Sequence, residues 1–257
     1  MYVTPQDVKS LEECSFYHVT DLPGYGTVGD TWDLRATIDD YLGRFDFAGK
    51  RVLDVGAASG FLSFHMEKRG ASVVSFDIRD GGDWDTVPYA SPKYDGKELV
   101  RQLQWHIPRI KKAYWFAHRV YGSKAQAYYG NIYDFPAELG DFDVVNFGMV
   151  LPHLRDPFRA LQSASRLSRK WVIVTHQSIE SEEPIMRFFP DPKTCVDPLA
   201  WWKISEGCME QMLGVLGFEV TSKVRAKHLC VVRGDSETYT AFVARRIHEV
   251  PEASAAR

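Results

Sequence analysis

Chemistry in this chain concentrates around one turn, Asp54-Val55-Gly56-Ala57-Ala58-Ser59-Gly60, and one acidic residue, Asp77, 21 residues after Gly56. A glycine turn between an apolar run and a helix, followed by a second apolar run ending in a carboxylate, is the usual cradle of a nucleoside cofactor. Dinucleotide binding needs G-x-G-x-x-G, but Ala58 stands at the second glycine position and Phe61 at the third. A phosphate loop is excluded as well, because no G-K-[ST] follows. The remaining pattern, D-x-G-x-x-x-G, makes no demand for phosphate. Two imidazoles add proton chemistry: His153, just after "FDVVNFGMVLP", and His176, at the end of "KWVIVTH". Both fall where apolar runs end, the edge at which ligands sit in open α/β sheets. A neutral histidine there can accept a proton from a hydroxyl or amine.

These residues require a scaffold. "KRVLDVG", "ASVVSFD", "AQAYYG", "DFDVVNFGMV" and "KWVIVTHQS" read as buried strands. Between them "GFLSFHMEKRG" and "DPFRALQSASRLS" read as helices, the second with Asp156 as N-cap and Pro157 at N1. "TWDLRATIDDYLGRF" shows apolar residues at helical spacing, with Asp30 or Thr31 as cap. "KELVRQLQWH" and "PRIKKAYWFAHRVYG" predict two helices, with Pro108 opening the second. "SEGCMEQMLGVLGF" predicts a last helix, then a strand pair that no helix separates. The expected fold is α/β, a doubly wound, mostly parallel sheet with a final antiparallel strand and helical or loop inserts. One domain is expected over residues 1–250, with inserts at 80–126 and 178–203 as lid and specificity elements, and a disordered tail at 251–257.

The turn, Asp77, the "GNIYD" loop and "FDVVNFGMVLPHLRDP", in this order, resemble the class I S-adenosylmethionine-dependent methyltransferases. The resemblance covers roughly residues 30–177. It implies S-adenosyl-L-methionine as cofactor, with Asp54, Gly56, Ala57 and Gly60 around its methionine part. It also implies Asp77 and Ile78 at the ribose, Asn131 and Ile132 at the adenine, and Phe147 and Gly148 beneath the sulfonium. Trp32 and Arg35 are implied at the methionine carboxylate. His153 becomes the first candidate base and His176 the second, whether as base or as a substrate contact.

"GMVLPHLRDPFRAL" further resembles the tRNA wobble-uridine methyltransferase group, whose V-L-Y-H-x-x-x-P pattern is met here except that Pro152 replaces the tyrosine. In the carboxymethyl-transferring enzyme of that group the tyrosine helps to hold the extra carboxylate, so Pro152 implies ordinary S-adenosylmethionine. The N-P-P-[YFW] run of amino-directed DNA methyltransferases is absent; Asn146-Phe147-Gly148-Met149 stands there.

Composition narrows the acceptor. Net charge is −3, which gives no support for a broad nucleic-acid-binding face, since phosphate contacts dominate such affinity. Neither a signal segment nor an apolar run of membrane length is present, and the four cysteines form no C-x-x-C pair. No H-E-x-x-H or similar metal motif occurs. The expectation is a cytoplasmic enzyme that methylates a hydroxyl or nitrogen of a small molecule, such as a natural product or sugar-like metabolite. A tRNA-modifying enzyme and a non-catalytic S-adenosylmethionine-binding protein are the alternatives.

Overall fold

A computed structural model describes residues 1–249; the tail expected at 251–257 lies outside the described residues. Seven strands carry the main sheet: β1 (Arg51–Val55), β2 (Ser72–Asp77), β3 (Gln126–Tyr129), β4 (Phe142–Gly148), β5 (Ser168–His176), β6 (Phe218–Cys230) and β7 (Asp235–Arg246). Their order across the sheet is β6-β7-β5-β4-β1-β2-β3, with a two-residue strand, Trp32–Asp33, outside β6. The first five strands are parallel, and β7 runs antiparallel to both its neighbours. That is the expected fold class. β1 is the central parallel strand from which the chain winds both ways, so the crevice lies at its carboxyl end.

Alternation explains the two layers. Val52, Val73, Val144 and Ile173 face one core, with Leu62 and Met66 of α1 (Phe61–Lys68) and Trp115 and Phe116 of α2 (Gly96–Tyr121). Their chain neighbours Leu53, Val74, Val145 and Val172 face the other core, with Leu161 of α3 (Pro157–Ser165) and Met209 and Leu213 of α4 (Glu206–Val215). Each such side chain, fully buried, contributes roughly 1.5–3 kcal/mol. Asp156 caps α3 as expected, accepting from the Arg159 amide at 3.0 Å.

Two local expectations are corrected. The 31–45 stretch holds only a one-turn helix, Ile38–Tyr41, and Trp32–Asp33 instead pairs with Cys230 and Leu229. Asp33 is the cause: its Oδ1 accepts from the Arg35 amide at 3.1 Å, a local turn that competes with helix formation. Leu34, Ile38, Tyr41 and Leu42 are nevertheless all buried, so the apolar spacing reported packing correctly. The two helices expected on either side of Pro108 are one, α2, capped by Asp95 and closed by Gly122 at φ 61°. An interior proline costs roughly 3 kcal/mol. Here one continuous buried face, Leu103, Ile107, Ile110, Tyr114 and Trp115, outweighs it.

Candidate functional site

The cavity opens where the topology requires it, at the carboxyl end of β1, with a volume of about 510 Å³. That lies within the range of small-molecule sites. Its floor is the glycine turn. Gly56 and Ala57 both donate to the Phe76 carbonyl, at 2.8 and 3.1 Å, which ties the turn to the end of β2. Gly56 sits at φ +80°, and a Cβ there would lie 2.4 Å from Val150 Cγ2, so the position admits only glycine without strain. Ala58 adopts φ 47°, rare for a residue with a side chain, and this aims its amide at Asp77 Oδ2, 2.6 Å away.

Asp77 keeps spare acceptor capacity. Its Oδ2 accepts from Ala58 and its Oδ1 from the Ile78 amide at 2.7 Å. A carboxylate offers about four acceptor sites, so about one remains on each oxygen, facing the cavity that Asp77 and Ile78 line. Two acceptors side by side fit the two hydroxyls of a ribose. Burial pushes the Asp77 carboxyl up, against the two amides and Lys111, which pull it down.

The structure sorts the other expected residues. Gly56, Ala57, Asn131, Ile132 and Gly148 line the cavity, and so does Trp32, whose indole N–H donates to Tyr17 Oη at 3.1 Å. Asp54 does not line it; fully buried beneath the turn, it accepts from Ser63 Oγ at 2.6 Å and Asn146 Nδ2 at 2.8 Å. Burial pushes its carboxyl up to about 6. Asp54 is therefore a strut under the cradle. Gly60 also lies outside the lining: at φ +87°, it lets the start of α1 pack against Phe64 and Tyr114. Strand alternation puts Phe147 wholly in the core. Arg35 is corrected too, because Asp21 at 2.7 Å and Asp33 at 2.6 Å hold its guanidinium in a separate surface cleft.

The histidines separate clearly. His153 lines the cavity at the end of a short turn, Leu151–His153, directly after β4. Its Nδ1 lies 2.8 Å from the Leu199 carbonyl. A carbonyl only accepts, so Nδ1 carries the proton and Nε2 of the neutral ring keeps a free lone pair. His176 is a correction. It has no exposure, stacks on Phe242 at 5.6 Å, and is absent from the cavity wall. Burial pushes its imidazole down to about 4, and a strand-end position alone does not reveal that its side chain turns inward.

Several wall residues were not foreseen. Tyr17 and His18 come from the N-terminal segment and Tyr239 from β7, and no motif marks them. Leu103, His106, Ile107 and Lys111 line the cavity from α2, as the amphipathic face of that insert could have suggested. Tyr114 and Trp115, the aromatic stripe of the same helix, are core. Of the tryptophan pair, Trp201 is buried and Trp202 half-buried, and neither lines the cavity. Among the described residues no cluster of metal-ligating side chains occurs and no helix is long and apolar enough to cross a membrane.

Comparison with known proteins bears on this geometry. Residues 33–223 match a family model described as "Methyltransferase domain". A ubiquinone biosynthesis O-methyltransferase of Xanthomonas oryzae pv. oryzae is 30% identical over 164 residues, covering 59% of this chain and 57% of that protein. Its namesake from Hahella chejuensis is 27% identical over 121 residues, 47% of this chain and 40% of that protein. The match thus spans 57% and 40% of the length of these curated relatives. In structure, the N-terminal domain of EvdMO1, solved in the presence of S-adenosylhomocysteine and D-fucose, aligns with TM-score 0.56 at 17% identity, over 91% of this chain and 92% of that one. The 1,6-didemethyltoxoflavin-N1-methyltransferase of Burkholderia thailandensis aligns with TM-score 0.52 at 15% identity, over 83% and 77%. Both are likenesses of fold. The chain belongs to the methyltransferase domain family, and its fold is the class I, Rossmann-like form.

Proposed function

We propose that the protein transfers a methyl group from S-adenosylmethionine to a hydroxyl of a small, largely apolar molecule, with His153 as general base. One observation carries the reading: the Leu199 carbonyl fixes the His153 tautomer, leaving Nε2 as a proton acceptor at the cavity wall just beyond Gly148. The glycine turn takes the methionine part, Asp77 the ribose hydroxyls, and Asn131 and Ile132 the adenine. The bound cofactor supplies a methyl group on a sulfonium, already activated for transfer. The chain's own part is orientation, exclusion of water and removal of one proton. As the acceptor oxygen forms its bond to the methyl carbon, its proton passes to His153 Nε2.

The wall favours an uncharged acceptor. Leu103, Ile107, Met149, Val150, Leu154 and Leu199 give the upper cavity an apolar lining. The acidic groups of the wall are already engaged: Asp83 pairs with Arg79 at 3.0 Å, and Asp85 accepts from the Tyr133 hydroxyl and the Arg155 amide. The relatives named for O-methylation favour oxygen over nitrogen. Within one domain, both inserts act as lid: α2 forms the roof, and the 178–203 segment is tied to the post-β4 turn by His153 to Leu199 and by Trp201 N–H to Pro152 O at 2.9 Å.

The test is methyl transfer to a panel of apolar phenols and alcohols by wild type and His153→Ala. Loss of a base lowers turnover by a factor on the order of 10²–10⁴, with the affinity for S-adenosylhomocysteine unchanged. Full activity in His153→Ala would leave positioning alone as the protein's contribution. Cofactor binding with no transfer to any acceptor would favour a non-catalytic binding protein.

A further inference from the structure

Helix α2 brings one cation to the cavity wall. Lys111 is half-buried and lines the cavity together with Asp77. Its Nζ lies 3.7 Å from the centre of the Tyr129 ring and donates to the Arg79 carbonyl. These two contacts bracket Asp77: Tyr129 is its register partner across β2 and β3, and Arg79 follows two residues later in the chain. Arg79 does not substitute for the lysine, because its guanidinium is engaged by Asp83 at 3.0 Å.

Building on the cofactor reading above, we propose that Lys111 is a positioning residue for S-adenosylmethionine. Seated across the end of β2, it holds Asp77 as an anion whose two spare acceptor sites meet the ribose, and so makes the insert helix part of the cofactor site. The physical need is plain. Asp77 has lost water on entering the wall and has two backbone donors in exchange. Once protonated it would present an O–H where an acceptor is required. The other titratable groups facing the pair are Asp54 from β1, Tyr129 from β3, and Asp80 and Asp83 from the loop after β2. None of these brings a positive charge. Lys111 itself is pulled down by burial and raised again by Asp77, Asp80 and Asp83, so the two charges support each other.

The consequence is a pH profile rather than a simple loss of affinity. A nearby positive charge favours the ionised carboxyl, and Lys111 pulls Asp77 down. Removing it moves upward the pH below which Asp77 stops accepting. The experiment is calorimetric titration with S-adenosylhomocysteine from pH 5 to 8.5, on wild type, Lys111→Met and Lys111→Arg, with Lys111→Gln as a second neutral variant. The expected result is that affinity falls with acidity in every protein, but with the midpoint displaced upward in Lys111→Met and Lys111→Gln. The loss is greatest at the acidic end of the range and far smaller at pH 8.5; Lys111→Arg restores the wild-type profile. Neutral variants whose profiles coincide with wild type, or lie below it by one constant factor at every pH, would overturn the proposal. Failure of wild type itself to bind at pH 8.5 would instead refute the cofactor reading on which it rests.

Discussion

Replacing Asp77 with asparagine separates function from stability in a way that only the geometry above requires. Asparagine keeps one acceptor oxygen and turns the other into a donor. The carboxylate now accepts from Ala58 and Ile78 and has about one site left on each oxygen for the ribose. Hydrogen bonds to charged groups are worth roughly 1.5–3 kcal/mol each. Losing one and weakening the other costs about 2–4 kcal/mol of cofactor binding, roughly 30- to 1000-fold in Kd. The fold responds differently. Burial raises the Asp77 carboxyl above its unfolded value, so ionisation at neutral pH costs the apo protein stability, a cost that disappears as pH falls through the folded value. Asparagine removes this cost but sets an N–H against a backbone N–H. The two effects oppose each other, and the apo melting temperature stays within about 4 °C of wild type. Calorimetry with S-adenosylhomocysteine and ligand-free thermal melts measure both. Unchanged affinity would refute the ribose role, and a melting temperature that collapses along with affinity would reduce Asp77 to a structural residue.

Three further outcomes are expected. His18 and His176 are both held near 4 by burial; their folded values lie below the unfolded one, so the stability they contribute is complete above about pH 6.5 and is lost as pH falls toward 4, by at most about 1.4 kcal/mol per unit for each. Melting temperature should therefore drop over that window, and less steeply in His176→Phe; an identical slope would contradict the burial argument. Gly56→Ala forces a side chain into a left-handed conformation that costs roughly 1–2 kcal/mol, and onto Val150 as well; weaker S-adenosylhomocysteine binding and a lower melting temperature should appear together, and a neutral effect on both would mean that the turn is not rigid. Total tRNA should accept no radiolabelled methyl group, since Lys223 and Arg225, two of the three cations of the basic run in β6, are taken up by Glu210 at 2.7 Å and Glu206 at 2.6 Å; salt-sensitive binding with methyl incorporation would reverse this.

Most of the framework was legible because it rests on local rules. The short, continuous apolar runs at Arg51–Val55 and Phe142–Gly148, the D-x-G-x-x-x-G turn and the Asp156-Pro157 start each encode their own conformation. Most of the failures come from the third dimension, and one from a local side-chain turn. Pro108 punctuates a sequence, yet the buried face from Leu103 to Trp115 carries the helix through it. Asp33 sits within a pattern of helical apolar spacing, but its side chain captures the Arg35 amide and ends the helix before it begins. His153 and His176 occupy equivalent strand-end positions in the sequence, and only packing puts one on the cavity wall and the other against Phe242. Tyr17, His18 and Tyr239 reach the site from opposite ends of the chain, and no spacing rule connects them.

The central claim is that the cavity at the end of β1 holds S-adenosylmethionine with its sulfur toward Gly148 and His153. A crystal structure of the protein with S-adenosylhomocysteine tests it most directly. The expected complex has both ribose hydroxyls on Asp77, the adenine beside Asn131 and Ile132, and the sulfur facing His153 across an apolar space large enough for an acceptor. A ligand bound elsewhere, a ribose away from Asp77, or a sulfur turned from His153 would contradict it.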